Sequence, residues 1–382
     1  MRNWFAVAVA LLWFALAAAA QTAPVAGGAG SGYIDAGGSK LYFEECGSGP
    51  GVVLLHDGLL HSVTWDEVWP ALCSKYHVVR YDRRGYGRSE AAKAPFSAEE
   101  DLEEVLRRTG MAHAVLVGNS SGAGLALDFA ISHPAMVEGL FLIGPVVHGM
   151  RSSAFFLARG ERNNAPLAHD DVKGAAENWS KDAFAIAGTN EAARKKVFEA
   201  LAQNPQNLKI AGQFEKRPAP PTVVRLGEIE APTLMLVGAA DIADVHAFAG
   251  AIQAAVPVSR REVWADAGHM IQLEKPQEVV ARLERFVTLV ERKRVVLNAD
   301  VLRSYAGQYS FFGQPTTVAV KGDHLILQLN GDADIPLFAA SDTRFFVRTV
   351  GTDVQFQKDA AGKVIEMGIY SADGNVIKCP RL

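Results

Sequence analysis

Cysteine is scarce in this chain: three residues in 382. That is too few for a disulfide scaffold. Net charge is also small, because 38 basic and 42 acidic side chains leave −4. Such a balance argues against a nucleic-acid binder held by phosphate contacts. The ten histidines form no H-E-x-x-H and no ligand-like cluster, so no metal and no cofactor is expected. Long apolar runs are missing except at the start. With 49% hydrophobic residues, the composition is that of a chain with a core rather than a mostly disordered one. At roughly 150 residues per domain, the length suggests two or three folding units.

The one long apolar run opens the chain. Arg2 precedes an uninterrupted stretch from Trp4 to Ala20, and Ala18 and Ala20 form an A-x-A pattern before Gln21. That is the layout of a cleaved secretory signal over residues 1–20. A run of this length also spans a bilayer, so a retained anchor stays open. No cysteine stands at the cleavage point, so there is no lipoprotein signal. The expected location is secreted or periplasmic, with no membrane attachment after cleavage. In an oxidising compartment, Cys46, Cys73 and Cys379 leave at least one thiol free or paired between chains. Spacing alone does not decide a Cys46–Cys73 bridge.

Residues 21–31 are small and Gly-rich and read as a flexible lead-in. From 32 to 292, short β-branched runs alternate with helical stretches. The runs are Gly51–Leu55, His77–Tyr81, Ala114–Val117, Gly139–Ile143 and Thr233–Val237. This alternation predicts an α/β domain, a mainly parallel sheet covered by helices. Val279, Val280, Leu283, Phe286, Val287 and Val290 share one face of a helix that starts at Pro276. Glu99–Arg108 has acids first and bases last, as suits a solvated helix. Between about 146 and 220 the strand rhythm stops and a helical insertion is expected. From 298 to 382 the pattern becomes all-β, with alternating runs between turns such as Lys321-Gly322-Asp323, Asn330-Gly331-Asp332 and Asp373-Gly374.

Residues 114–122 read AVLVGNSSG, a strand followed by G-x-S-x-G with Ser120 at its centre. A sharp strand-to-helix turn exposes the serine oxygen, and Gly118 and Gly122 keep the turn clear. Serine needs a base. His269 in DAGHMIQ precedes the last amphipathic helix. The base needs an orienting carboxylate, and Asp241 ends TLMLVGAAD on the loop leaving a buried strand. Asp244 is its rival. The chain order Ser120, Asp241, His269 is nucleophile, acid, base. An oxyanion needs two backbone N–H donors. The candidates are Ser121, which follows the nucleophile, and Gly58 in VVLLHDGLLH. His56 reads as a residue that shapes this loop, not one that transfers protons.

With these motifs in order, residues 32–292 resemble an α/β-hydrolase-fold enzyme. The strand–HDG loop, the RYDRRGYGRS stretch ending at Ser89, the GNSSG elbow, the VGAAD loop and the DAGHMIQLEKP loop carry the resemblance. It implies a triad of Ser120, Asp241 and His269, with residues 146–220 as a helical cap over the pocket. It also implies loop-bracing roles for Asp82 and Arg84. Two departures stand out. The family often has His-Gly where this chain has His56-Asp57, which leaves the oxyanion donor open by one residue. Ala123 stands where a second glycine is frequent. Dehalogenases and epoxide hydrolases on this fold attack with Asp, so Ser120 points to acyl transfer to water. Residues 298–382 resemble the lipocalin-like β-domain appended to some penicillin-binding-like serine hydrolases, through YAGQY, VKGDHLILQ, SDTRFF and VQFQKDAAGKV.

The expected function is an exported serine esterase acting on a small ester, lactone or related acyl compound. Two alternatives stay open. One is an aminopeptidase or amidase that holds a substrate amine with cap acids among Glu161, Asp170, Asp171 and Glu177. The other is a non-catalytic ligand receptor. Cap residues His148, Arg151, Phe155, Phe156 and Trp179 read as packing first and pocket lining second. The expected partner is a small-molecule acyl substrate and not a nucleic acid. The oligomeric state does not follow from the sequence.

Overall fold

The computed structural model describes residues 29–188, 190–210, 212–329, 334–349, 351–371 and 375–382. The signal expected over 1–20 and the turns at 330–332 and 373–374 lie outside them.

An eight-stranded sheet organises the first unit. Its strands are β1 (Gly30–Ala36), β2 (Ser39–Cys46), β3 (Gly51–Leu55), β4 (His77–Tyr81), β5 (Ala114–Asn119), β6 (Val137–Ile143), β7 (Thr233–Gly238) and β8 (Ser259–Trp264). Their spatial order is β1-β2-β4-β3-β5-β6-β7-β8. β1 and β2 are antiparallel, β2 meets β4 antiparallel, and every later pairing is parallel. β1 begins at Gly30, so the last two residues of the expected flexible lead-in are strand. All six residues of β5 are buried, as an apolar run covered on both faces requires.

Helices supply that cover. Val279, Leu283, Phe286, Val287 and Val290 of the helix Pro276–Val290 pack with Val115, Val117 and Phe141 on one face. The helix Ser121–Ser132 packs with Leu55, Leu116 and Leu142 on the other. Each such side chain contributes about 1.5–3 kcal/mol when fully buried. The charged run after Ser97 forms the helix Ala98–Arg108, with Ser97 Oγ accepting from the Glu100 N–H at 3.1 Å. Cys46 and Cys73 form a disulfide across 27 residues, whereas Cys379 is free and buried.

Between β6 and β7 the chain leaves the sheet as expected. It forms helices Ala154–Asn164, Val172–Ser180 and Glu191–Gln203, then returns through 217–222. After the helices Pro276–Val290 and Ala299–Tyr305 comes a second sheet. Its strands are β9 (Gly307–Phe311), β10 (Gln314–Lys321), β11 (His324–Gln328), β12 (Ile335–Ala339), β13 (Arg344–Phe346), β14 (Asp353–Lys358), β15 (Val364–Tyr370) and β16 (Val376–Pro380). They are antiparallel in sequence order. A bridge from Tyr309 to Arg381 brings the first and last strands together, so the sheet nearly closes.

Candidate active site

Ser120 sits between β5 and the helix Ser121–Ser132 with φ 55° and ψ −117°. A non-glycine residue held there costs on the order of 1–3 kcal/mol, and the surroundings must enforce it. A Cβ on Gly118 would lie 2.6 Å from the backbone of Ala123, and one on Gly122 would collide with the Leu55 carbonyl. Both motif glycines are therefore steric requirements. Ala123, where a second glycine was noted as frequent, fits fully buried.

His269 and Asp241 meet as the sequence expects. His269 Nδ1 lies 2.8 Å from Asp241 Oδ2. With Nδ1 donating, Nε2 keeps a free lone pair. Burial disfavours the His269 imidazolium, but the Asp241 charge and hydrogen bond outweigh it and raise the pKa above its ordinary 6.5. Asp241 Oδ1 accepts from the Ile242 N–H at 2.7 Å. The rival Asp244 turns away and binds the Ser153 N–H and hydroxyl.

The two candidate oxyanion residues converge. A Cβ on Gly58 would lie 3.2 Å from Ser121 Oγ. Tyr86 Oη donates to the Gly58 carbonyl at 3.3 Å. His56 is fully buried; its Nε2 accepts from the Arg83 N–H at 2.8 Å and its Nδ1 faces the Asp57 carbonyl at 2.7 Å. Burial, then Arg83, push its pKa down to about 3, so it stays neutral and shapes the loop as expected. Asp82 accepts from the Ser62 and Arg88 N–H groups, and Arg84 makes a two-pronged pair with Asp101. Both brace loops, in line with the roles the resemblance implies.

Several contacts escaped the sequence. Arg83 Nη1 donates to Ser121 Oγ at 2.8 Å, and its Nη2 reaches Glu215 of the insertion at 3.5 Å. Asn119 Nδ2 donates to the carbonyls of Ile143 and His269, and Asn119 Oδ1 accepts from Gln272. The elbow and the histidine loop are thus tied directly. Arg159 and Asp182 form a buried two-pronged pair at 2.8 Å. Asp182 Oδ1 also takes the N–H groups of Phe184 and Ala185, whose carbonyls accept the His269 N–H. Burial opposes the Asp182 charge, but Arg159 and the other donors hold its carboxyl below the usual range. These residues are joined to partners up to 153 positions away, so no local pattern marks them.

Of the insertion residues weighed from the sequence, Trp179 is buried and donates to Asn164, while His148 binds Asp128 and Arg217. Phe155 is half exposed. Among the described residues no group of His, Cys, Asp or Glu is arranged to hold a metal ion, and no helix is long and apolar enough to cross a membrane.

A family model described as alpha/beta hydrolase family matches residues 52–283. The chain belongs to that family. A 2-hydroxy-6-oxo-6-phenylhexa-2,4-dienoate hydrolase of Comamonas testosteroni is 25% identical over 261 residues, covering 62% of this chain and 87% of the relative. Among solved structures, a thermophilic esterase from Thermogutta terrifontis is 22% identical with a TM-score of 0.58, covering 68% of this chain and 99% of that one. An N-acyl homoserine lactone degrading enzyme, Est816, is 23% identical with a TM-score of 0.54, covering 67% and 100%. Each of these three matches covers about two thirds of this chain. A model described only as a domain of unknown function, DUF3471, matches residues 291–379.

Proposed function

We propose that the protein is an exported serine hydrolase that cleaves a small carboxylic ester, lactone or related acyl compound. The observation that carries this reading is Ser120 on a strained elbow in the same site as the 2.8 Å His269–Asp241 pair. In the proposed reaction, His269 Nε2 takes the Ser120 hydroxyl proton as Oγ attacks the carbonyl carbon. The oxyanion that forms is held by the N–H groups of Gly58 and Ser121. Collapse breaks the ester bond, and His269 returns the proton to the leaving alkoxide. Water, deprotonated by His269, then releases the acid and restores Ser120. One structural neighbour is named an esterase and another an N-acyl homoserine lactone degrading enzyme, which agrees with this chemistry. The Cys46–Cys73 disulfide supports export, because such bonds persist in oxidising compartments.

The amine-holding alternative has little support. Glu161, Asp170, Asp171 and Glu177 are all exposed; Asp170 pairs with Lys209, Glu177 with Lys181, and Asp171 caps a helix. The deciding experiment is turnover of a short p-nitrophenyl ester by the wild type and Ser120→Ala. A loss on the order of a million-fold is expected, as for other triads. Full activity in the variant would overturn Ser120 as the nucleophile, and a wild type whose Ser120 is inert to a fluorophosphonate probe would instead favour a receptor.

A further inference from the structure

Asp57 stands where the resemblance leads one to expect glycine, and it is 2% exposed. Its Oδ1 accepts from the N–H groups of Leu59 and Leu60 at 2.7 and 2.8 Å. Those two bonds fix the loop. They leave Oδ2 buried with no hydrogen-bond partner among the described residues. An unpaired oxygen of a buried carboxylate costs on the order of 1–3 kcal/mol or more. The loop needs only one oxygen, so the turn does not explain the second.

The location makes the orphan informative. Asp57 directly precedes Gly58, whose neighbour across the site is Ser121. Its charge reaches His269, Arg83 and Tyr86. A fixed negative charge beside an oxyanion hole opposes the developing oxyanion. That penalty falls when a substrate brings a donor that caps Oδ2 and compensates its charge. A buried acceptor of this kind also discriminates strongly against analogues that lack the donor, because they leave it unpaired.

We propose that Asp57 Oδ2 is a specificity-determining acceptor for a hydroxyl or ammonium donor on the acyl part of the substrate, close to the reacting carbonyl. This rests on the serine hydrolase reading above and narrows its substrate class to hydroxy- or amino-acyl esters and lactones. Nearby Arg83 is already engaged by Ser121, the His56 carbonyl and Glu215, so it does not serve Oδ2.

The test compares kcat/KM for p-nitrophenyl butyrate with its 2- and 3-hydroxy and 2- and 3-amino derivatives. Wild type, Asp57→Asn and Asp57→Gly are measured on all five. The wild type should prefer at least one donor-bearing ester over butyrate by about tenfold or more. Asp57→Asn keeps an oxygen for Leu59 and Leu60 but turns an NH2 toward the substrate. It should lower the amino-to-plain ratio about tenfold or more and the hydroxy-to-plain ratio less, since a hydroxyl can also accept. Asp57→Gly, which needs no side-chain packing, should bring both ratios toward unity. Ratios within twofold of wild type in both variants, or a wild type without preference, would overturn the inference while leaving the esterase reading intact. A wild type with no Ser120-dependent turnover of any of the five overturns both.

Discussion

Asp57, Arg83, Asn119, Asp182, Asp241 and Gln272 are all buried in the hydrolase unit, whereas between residues 298 and 382, among the described residues, no Asp, Glu, Lys, Arg or His is buried. The C-terminal unit instead buries rings. Phe356 sits with its centroid 4.6 Å from Tyr305, 5.4 Å from Phe345 and 5.8 Å from Tyr309. Burying ionisable groups is costly unless each is paired, so a fold that tolerates many of them has a use for their chemistry. A ring-packed core needs no such tolerance. The contrast sets a unit of paired buried polar groups, which holds the candidate site, against a unit of packed rings, and it can be broken from either side.

The largest effect should come from the buried carboxylate at His269. Asp241→Asn should lower kcat on the p-nitrophenyl ester by about ten-thousand-fold, because an amide can hold the wrong tautomer and cannot balance the imidazolium. Asp244→Asn, whose partner is Ser153, should change it by less than about threefold, since surface hydrogen bonds contribute little. A reversed order would move the orienting acid to Asp244. In the other unit, Phe356→Ala should destabilise the β-sheet by about 3–5 kcal/mol in denaturant unfolding. Its kcat/KM should stay within twofold. A loss of turnover under conditions where the first sheet stays folded would show that the ring core supports the reaction.

A smaller effect is the pH response. In the proposed reaction His269 serves as a base only when deprotonated, and Asp241 raises its pKa above 6.5. Activity is therefore present above that raised pKa and is lost as pH falls through it. Below it, log kcat/KM should climb with a slope of about one per pH unit. An inflection below 6.5 would mean that burial, and not Asp241, dominates the imidazole.

Legibility in the sequence followed the same contrast. β3 to β7 were readable because strands buried on both faces are continuous apolar runs, and the elbow was readable because sterics demand Gly118 and Gly122 around Ser120. The edge strand β1 and its neighbour β2 were not identified, since GSGYIDA and SKLYFEEC mix polar and apolar residues on partly exposed strands. β9 and β16 escaped for the same reason, whereas β12, the apolar run IPLFA, is interrupted by Pro336, which argues against a strand. The ties Arg83–Ser121, Asn119–Gln272 and Arg159–Asp182 leave no local pattern, because each joins segments that only the folded sheet or insertion brings together. Asp57 was visible as a departure from the family pattern, but its unpaired oxygen was not.

The smallest effect expected is at the junction. Arg292, just past the helix Pro276–Val290, pairs with Asp353 of β14; Arg294 pairs with Asp323 at 2.7 Å, and the Val295 N–H donates to the Ala339 carbonyl at 2.8 Å. Nearby, Arg348 joins Val137, Glu138 and Pro232 around a cavity of about 280 Å³. Val137 and Pro232 stand at the starts of β6 and β7, whereas Ser120 and Asp241 follow the ends of β5 and β7. The β-unit therefore docks at the opposite end of the parallel strands from the site. The Arg292 and Asp353 side chains are 30% and 18% exposed, and Asp353 keeps Arg344 as a second partner. Partial exposure screens the pair, so Arg292→Ala should cost about 1 kcal/mol in unfolding experiments. It should leave kcat/KM within twofold. A tenfold change would mean that the junction communicates with Ser120 along the strands, and the division between a reacting unit and a packing unit would no longer hold.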